Sequence, residues 1–154
     1  MSDTTIVHHT FSVERTFPHS LARVFAAFSD PKKKRRWFAE GEGWNISEFT
    51  ADFTVGGREI SRFRFKDGPP MENITVYQDI VTNQRIVFVY AMKIADKRIS
   101  ASLSSVELFE EKNGTRVVYT EQGQYFDGID QAKGREQGCN ELYDRLAEEL
   151  RRDA

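Results

Sequence analysis

The chain has 154 residues, a formal charge of −2 and a sequence pI near 6.0. One domain over 1–154, with its core about 6–152, can therefore bury roughly two thirds of its unfolded surface, and the charge balance gives no pull toward nucleic acid or an anionic membrane. Cys139 is the only cysteine, which excludes an internal disulfide and a cysteine-based metal cluster and fits a reducing compartment. No stretch reaches the ~20 apolar residues of a membrane-crossing helix, and "MSDTTIVHHTF" lacks the basic start and apolar run of a secretion signal, so the cytoplasm is the expected location.

From Ile6 to Phe17 the alternate set Val7, His9, Phe11, Val13, Arg15, Phe17 has the period of two of a half-buried strand. Pro18 ends it, and Leu21, Val24, Phe25 and Phe28 then fall at helical spacing behind Ser20 as cap. Asp30-Pro31 opens a second helix of about two turns, stopped by "EGEG". A run of strand-like segments follows. Gly56-Gly57 reads as a tight hairpin, "KDGPP" and "TNQ" as further turns, and Asn113-Gly114 as the strongest hairpin dipeptide. The apolar phase slips near Ser104-Ser105, which predicts a bulge there. From Ile129 the period changes: Ala132, Cys139, Leu142, Tyr143, Leu146, Ala147 and Leu150 make one stripe of a long amphipathic helix.

This order predicts an α+β fold in which a curved antiparallel sheet wraps around a long C-terminal helix, with two short helices after the first strand filling one end. A bent sheet around one helix leaves space between them where inward side chains are small, so an internal pocket is expected.

The series "FPHSLARVFAAFSDPKKKRRWF", "FTVGGRE", "DIVTNQRIVFVYAM", "GTRVVYTEQG" and "GREQGCNELYDRLAEEL" resembles the START-like (SRPBCC) superfamily of helix-grip, birch-pollen-allergen-like proteins. Within it the chain is similar to the branch homologous to the C-terminal domain of the activator of the heat-shock-protein-90 ATPase. The resemblance runs from about Phe11 to Leu150. It implies a cavity between sheet and helix that accepts apolar or amphipathic molecules. It does not imply one activity, because relatives include carriers, receptors, cyclases and co-chaperone domains. Relatives often carry Gly-Trp where this chain has Gly138-Cys139, so a small thiol in place of an indole implies extra room beside the helix.

Alternation through Val117 and Tyr119 turns Glu121 inward, and Arg135 and Glu136 interrupt the apolar stripe of the last helix. A carboxylate in an apolar setting is costly unless paired. Glu121 and Arg135 are therefore expected either to pair or to form the polar end of the pocket, with Tyr90 and Tyr119 as hydroxyl donors. In the second case Glu121→Gln and Arg135→Ala weaken binding more than folding. Cys139 and Leu142 lie on the stripe facing the pocket. Gly134 and Gly138, one turn apart, are read first as a close helix-to-sheet approach and second as space for a ligand. His8 and His9 point to opposite faces and cannot chelate one ion, and no other metal, cofactor or nucleophile motif is present.

The run "DPKKKRRWFAEGEGW" raises the alternative of a nucleic-acid patch, but its helix is too short to fill a groove. The expectation is that Lys32 to Arg36 face water while Trp37 and Phe38 close one end of the cavity as a lid. Three functions follow. The first is a non-catalytic binding protein for a small apolar or amphipathic molecule. The second is a cyclase- or aromatase-type enzyme with Glu121 as general base. The third is a chaperone-interacting module. A homodimer and a chaperone partner are both compatible with the sequence, and neither is specified by it.

Overall fold

A computed structural model describes residues 5–128 and 132–152; the expected helix start at Ile129 lies outside them. The elements run β1 (Ile6–Phe17), α1 (Leu21–Ser29), α2 (Pro31–Lys34) continuing into a π-helical turn (Arg35–Ala39), β2 (Trp44–Ala51), β3 (Arg58–Phe65), β4 (Met71–Val81), β5 (Arg85–Ile94), β6 (Lys97–Glu111), β7 (Gly114–Phe126) and α3 (Ala132–Arg152). Ser20 caps α1 by accepting the Arg23 amide at 3.2 Å, and Asp30 caps α2 by accepting the Lys32 amide at 2.9 Å.

The seven strands form one antiparallel sheet in the order β1-β7-β6-β5-β4-β3-β2. The first and second strands are thus opposite edges, and the chain crosses between them through α1, α2 and the π turn. This is the α+β helix-grip architecture the sequence predicts. Register shifts fall at Ile46/Glu48, Tyr77/Asp79 and Met92/Lys93, and a bulge adds a local bend and extra twist to the strand that carries it.

Two turn and bulge expectations are corrected. β6 pairs with β7 without interruption from Ser100 to Glu111, so there is no bulge at Ser104-Ser105. The irregularity in β6 is at Ile99, where Ile99 and Ser100 are both buried in succession. The phase slip was chemical: Ser100, Ser102 and Ser104 occupy inward positions where an apolar residue was sought. Gly56-Gly57 is likewise not a two-residue hairpin. It ends the loop 52–57, and its backbone pairs with Tyr77 of β4 through the Gly56 amide at 2.8 Å and the Gly57 carbonyl at 3.0 Å.

The core is divided along α3. Its C-terminal half packs Tyr143, Leu146 and Leu150 against Val24 and Phe28 of α1, Trp37 of the π turn, and Phe11, Val13, Val106, Leu108 and Val117 of the sheet. Arg36 fastens this end, donating through Nε at 3.0 Å to both carboxylate oxygens of Glu149, which is 3% exposed. The N-terminal half of α3 stands over β3 to β5, and there the packing opens.

Candidate functional site

Between the N-terminal half of α3 and the sheet lies a cavity of about 430 Å³. Its apolar walls are Phe28, Trp37 and Phe38 at the helical end and Ile86, Phe88, Met92 and Ile94 along β5, while Gly134, Gly138, Cys139 and Leu142 line it from α3. The glycines explain the opening. A Cβ built at Gly134 or Gly138 meets no heavy atom within 4 Å, so they do not serve a close helix-to-sheet approach. They leave the space beside the helix open, and the small side chain of Cys139, which also lines the cavity, adds to it.

The cavity has two polar centres. The first is the one the sequence pointed to. Glu121 is 0% exposed. Its Oε1 accepts the hydroxyls of Tyr119 at 2.5 Å and Tyr90 at 2.6 Å, and its Oε2 accepts those of Ser102 and Tyr125, both at 3.1 Å. Arg135 Nη1 approaches Oε2 at 3.5 Å while donating to the Tyr90 hydroxyl at 2.7 Å, and its Nη2 donates to Ser100 at 2.9 Å. Gly123 is part of this construction. A Cβ there would sit 2.6 Å from the Tyr125 hydroxyl, so only glycine lets that ring fold back toward Glu121. The inward serines therefore make room for a polar network instead of a pocket.

Glu121 does not line the cavity. Tyr90, Tyr119 and Arg135 do, and they stand between the carboxylate and the open space. Burial raises the Tyr90 and Tyr119 hydroxyls well above the usual tyrosine value, with the negative charge of Glu121 adding to the effect and Arg135 opposing it at Tyr90. Both therefore remain donors at neutral pH. Glu136 does not line the cavity; its carboxylate is partly exposed, 3.6 Å from His9 of β1.

The second centre was not foreseen. Lys34, expected in water with its four neighbours, is 7% exposed and places Nζ 2.8 Å from Oε1 of Glu59, itself 2% exposed. The ammonium lies over the rings of Phe38, at 4.7 Å, and Phe88, at 6.0 Å, which favours a cation. Tyr77 donates to the same Glu59 oxygen at 2.8 Å, and burial followed by the Glu59 charge holds its hydroxyl far above the usual tyrosine value. Lys34, Glu59 and Tyr77 all line the cavity, as do Ser61, Asn73 and Thr75. A signal was present: Lys34 precedes Trp37 and Phe38 by three and four residues and so shares their face.

Trp37 is a wall rather than a lid. It is 4% exposed, its indole N–H donates to the Ala27 carbonyl at 2.9 Å, and the rings of Phe28, Phe38 and Tyr143 surround it. Phe38 and Leu142 are half-buried against the same cluster. Burial pushes the Cys139 thiol up to about 12, so it is a neutral packing group. Among the described residues no three His, Cys, Asp or Glu side chains gather to hold a metal, and no helix is long and apolar enough to cross a membrane.

A bent antiparallel sheet gripping a long C-terminal helix over an internal cavity defines the START-like, helix-grip class. The family model described as "Activator of Hsp90 ATPase homolog 1-like protein" matches residues 18–151, and the chain belongs to that family. The Mll3558 protein of Rhizobium loti, known from a crystal structure, is 50% identical with a TM-score of 0.88, over 94% of this chain and 99% of that one. A structurally determined, uncharacterised protein of Rhizobium leguminosarum is 38% identical with a TM-score of 0.94, over 98% of this chain and 99% of that one. An AHSA1-like protein of Aeromonas hydrophila, at 22% identity and a TM-score of 0.73 over 94% of each chain, shares the fold. Among curated proteins none matches the chain.

Proposed function

We propose that the protein is a non-catalytic binder of a small, largely apolar molecule with a polar group, working in the cytoplasm, where its lone thiol stays reduced. The cavity of about 430 Å³ carries this reading. It is in the size range of small-molecule sites, and its mix of apolar walls with a few convergent polar groups is their usual composition. A filled core would instead have favoured a module acting only through its outer surface.

Trp37, Phe38, Cys139 and Leu142 are the apolar contacts in this reading, and Tyr90, Tyr119 and Arg135 form one polar end, with Glu121 positioning them from behind. The enzyme alternative loses ground at Glu121. A general base must come within hydrogen-bond reach of the proton it removes, and Tyr90, Tyr119 and Arg135 stand in the way.

Native mass spectrometry of protein purified from its own host tests the reading, with a co-purifying small molecule as the expected result. Uptake of the neutral dye Nile red gives a second readout: Gly138→Leu, which projects into the cavity, is expected to abolish uptake while the protein still melts cooperatively. No co-purifying mass, together with uptake indifferent to Gly138→Leu, would remove the basis for a guest molecule.

A further inference from the structure

The two buried carboxylates are engaged differently. Both oxygens of Glu121 accept from donors. At Glu59, the Lys34 ammonium and the Tyr77 hydroxyl both meet Oε1, and no described residue donates a hydrogen bond to Oε2. Among the described residues the one side-chain polar atom sealed from solvent without a partner is Arg23 Nε, so Glu59 Oε2 opens onto the cavity that Glu59 lines. The Ser61 hydroxyl is in the same condition: 2% exposed, lining the cavity, and in no hydrogen bond among the described residues. Glu59 pairs across β3 and β4 with Thr75, and Ser61 with Asn73. These four side chains form one polar block on the inner face, opposed by the apolar walls.

Charge narrows the choice of guest. Of the cations lining the cavity, Lys34 faces a carboxylate at 2.8 Å and Arg135 at 3.5 Å; Arg145 lines it as well, half-buried beside Gly41 and Trp44, and makes no ion pair among the described residues. At Glu59 itself, where Lys34 is already engaged, a guest carboxylate would be buried with no cation of its own and no proton to offer Oε2, and an unpaired buried charge is among the most costly arrangements in a protein. A hydroxyl supplies the missing proton and leaves the ion pairs intact.

Building on the binding reading, we propose that the cavity selects uncharged hydroxyl compounds, an alcohol or a phenol, whose O–H donates to Glu59 Oε2 with Ser61 as the second polar contact. The body of the molecule lies against Phe88 and the Trp37-Phe38 end. Lys34 is a positioning residue: it fixes Oε1 and leaves Oε2 to the guest.

The test is displacement of Nile red from the full chain at neutral pH by two matched pairs, naphthol against naphthoate and decanol against decanoate. In at least one pair the hydroxyl compound should bind about tenfold or more tighter than its carboxylate. Glu59→Gln should weaken it about ten- to a hundredfold and let the carboxylate in beside the released Lys34. Ser61→Ala, which leaves both ion pairs intact, should weaken the hydroxyl compound about three- to tenfold. Carboxylates that bind the unmodified protein as tightly as the hydroxyl compounds would overturn the inference while leaving the binding reading in place. So would a folded Glu59→Gln protein with an unchanged preference. If Glu59→Gln does not fold, the unmodified protein and Ser61→Ala still decide. Failure of Nile red itself to bind would instead strike at the binding reading.

Discussion

Glu121→Gln separates a structural role from a binding role for the carboxylate the sequence singled out. The amide keeps the shape but turns one acceptor oxygen into a donor that confronts hydroxyls already donating: Tyr90 and Tyr119 on one side, or Ser102 and Tyr125 on the other. It also removes the negative charge facing Arg135, whose side chain is 10% exposed. Hydrogen bonds to a charged group contribute about 1.5–3 kcal/mol each, and breaking a buried pair costs about 3–5 kcal/mol. Because the amide still satisfies some donors, the net loss should stay near 3–5 kcal/mol, a fall in Tm of roughly 6–20 °C for a chain of this size. Thermal denaturation followed by circular dichroism reads this directly. Tyr119→Phe should be costly in the unmodified protein and much less so beside Glu121→Gln, giving a coupling of about 1 kcal/mol or more. Nile red affinity should change little, since Glu121 does not line the cavity. A variant that melts within about 2 °C of the unmodified protein yet loses the dye would refute this reasoning.

Other consequences can be checked with the same protein. Gly134→Ala and Gly138→Ala should each raise stability by about 1 kcal/mol, because alanine favours the helix and its Cβ meets nothing; a loss in either would mean a close helix-to-sheet contact after all. Burial holds the Tyr77, Tyr90, Tyr119 and Tyr143 hydroxyls above 10.0 and the Cys139 thiol above 9.0, their ordinary values. The folded chain then keeps protons that the unfolded chain releases. Their stabilising contribution is complete below those values and is lost as pH rises beyond them, by about 1.4 kcal/mol per pH unit for each group. Alkaline titration should show tyrosinate absorbance appearing cooperatively with unfolding, and smooth titration near the ordinary tyrosine value in a still-folded protein would contradict it. Cys139 should resist iodoacetamide until denaturant is added, whereas rapid labelling of the native protein at neutral pH would show an accessible thiolate.

Elements governed by local periodicity were legible in the sequence. Strand alternation placed Glu121 inward because it follows Val117 and Tyr119 on one face, and the stripe through Leu142, Tyr143, Leu146 and Leu150 identified α3 and the face it buries. The second polar centre broke the rule on which such reading depends. In β3 the inward set begins with Glu59 and Ser61 while the apolar Ile60 points the other way, so only Phe63 further along and the outward arginines mark the buried face, and nothing local marks Glu59 as buried. Lys34 was hidden in a run of five cations, four of which are not buried, and its partner lies on a strand that only the folded sheet brings near. The glycines of α3 gave one signal with two meanings. A missing side chain serves close approach and open space equally, and only the position of the sheet opposite decides.

The two centres also show why buried charge near a cavity must be read oxygen by oxygen. A carboxylate accepts about four hydrogen bonds, and a buried pair is rarely retained for stability alone, since apolar replacements of equal volume are often as stable. At Glu121 the acceptor capacity is shared among three tyrosines, a serine and an arginine. That network fixes Tyr90, Tyr119 and Arg135 as a rigid wall and closes the carboxylate to anything else. At Glu59, which lines the cavity, one oxygen takes both neighbours and no described residue donates to the other. Perturbing the first should therefore move the melting temperature and leave guest preference alone, while perturbing the second should change which guest is accepted. Equal effects of Glu121→Gln and Glu59→Gln on both readouts would mean that the two carboxylates form one coupled unit.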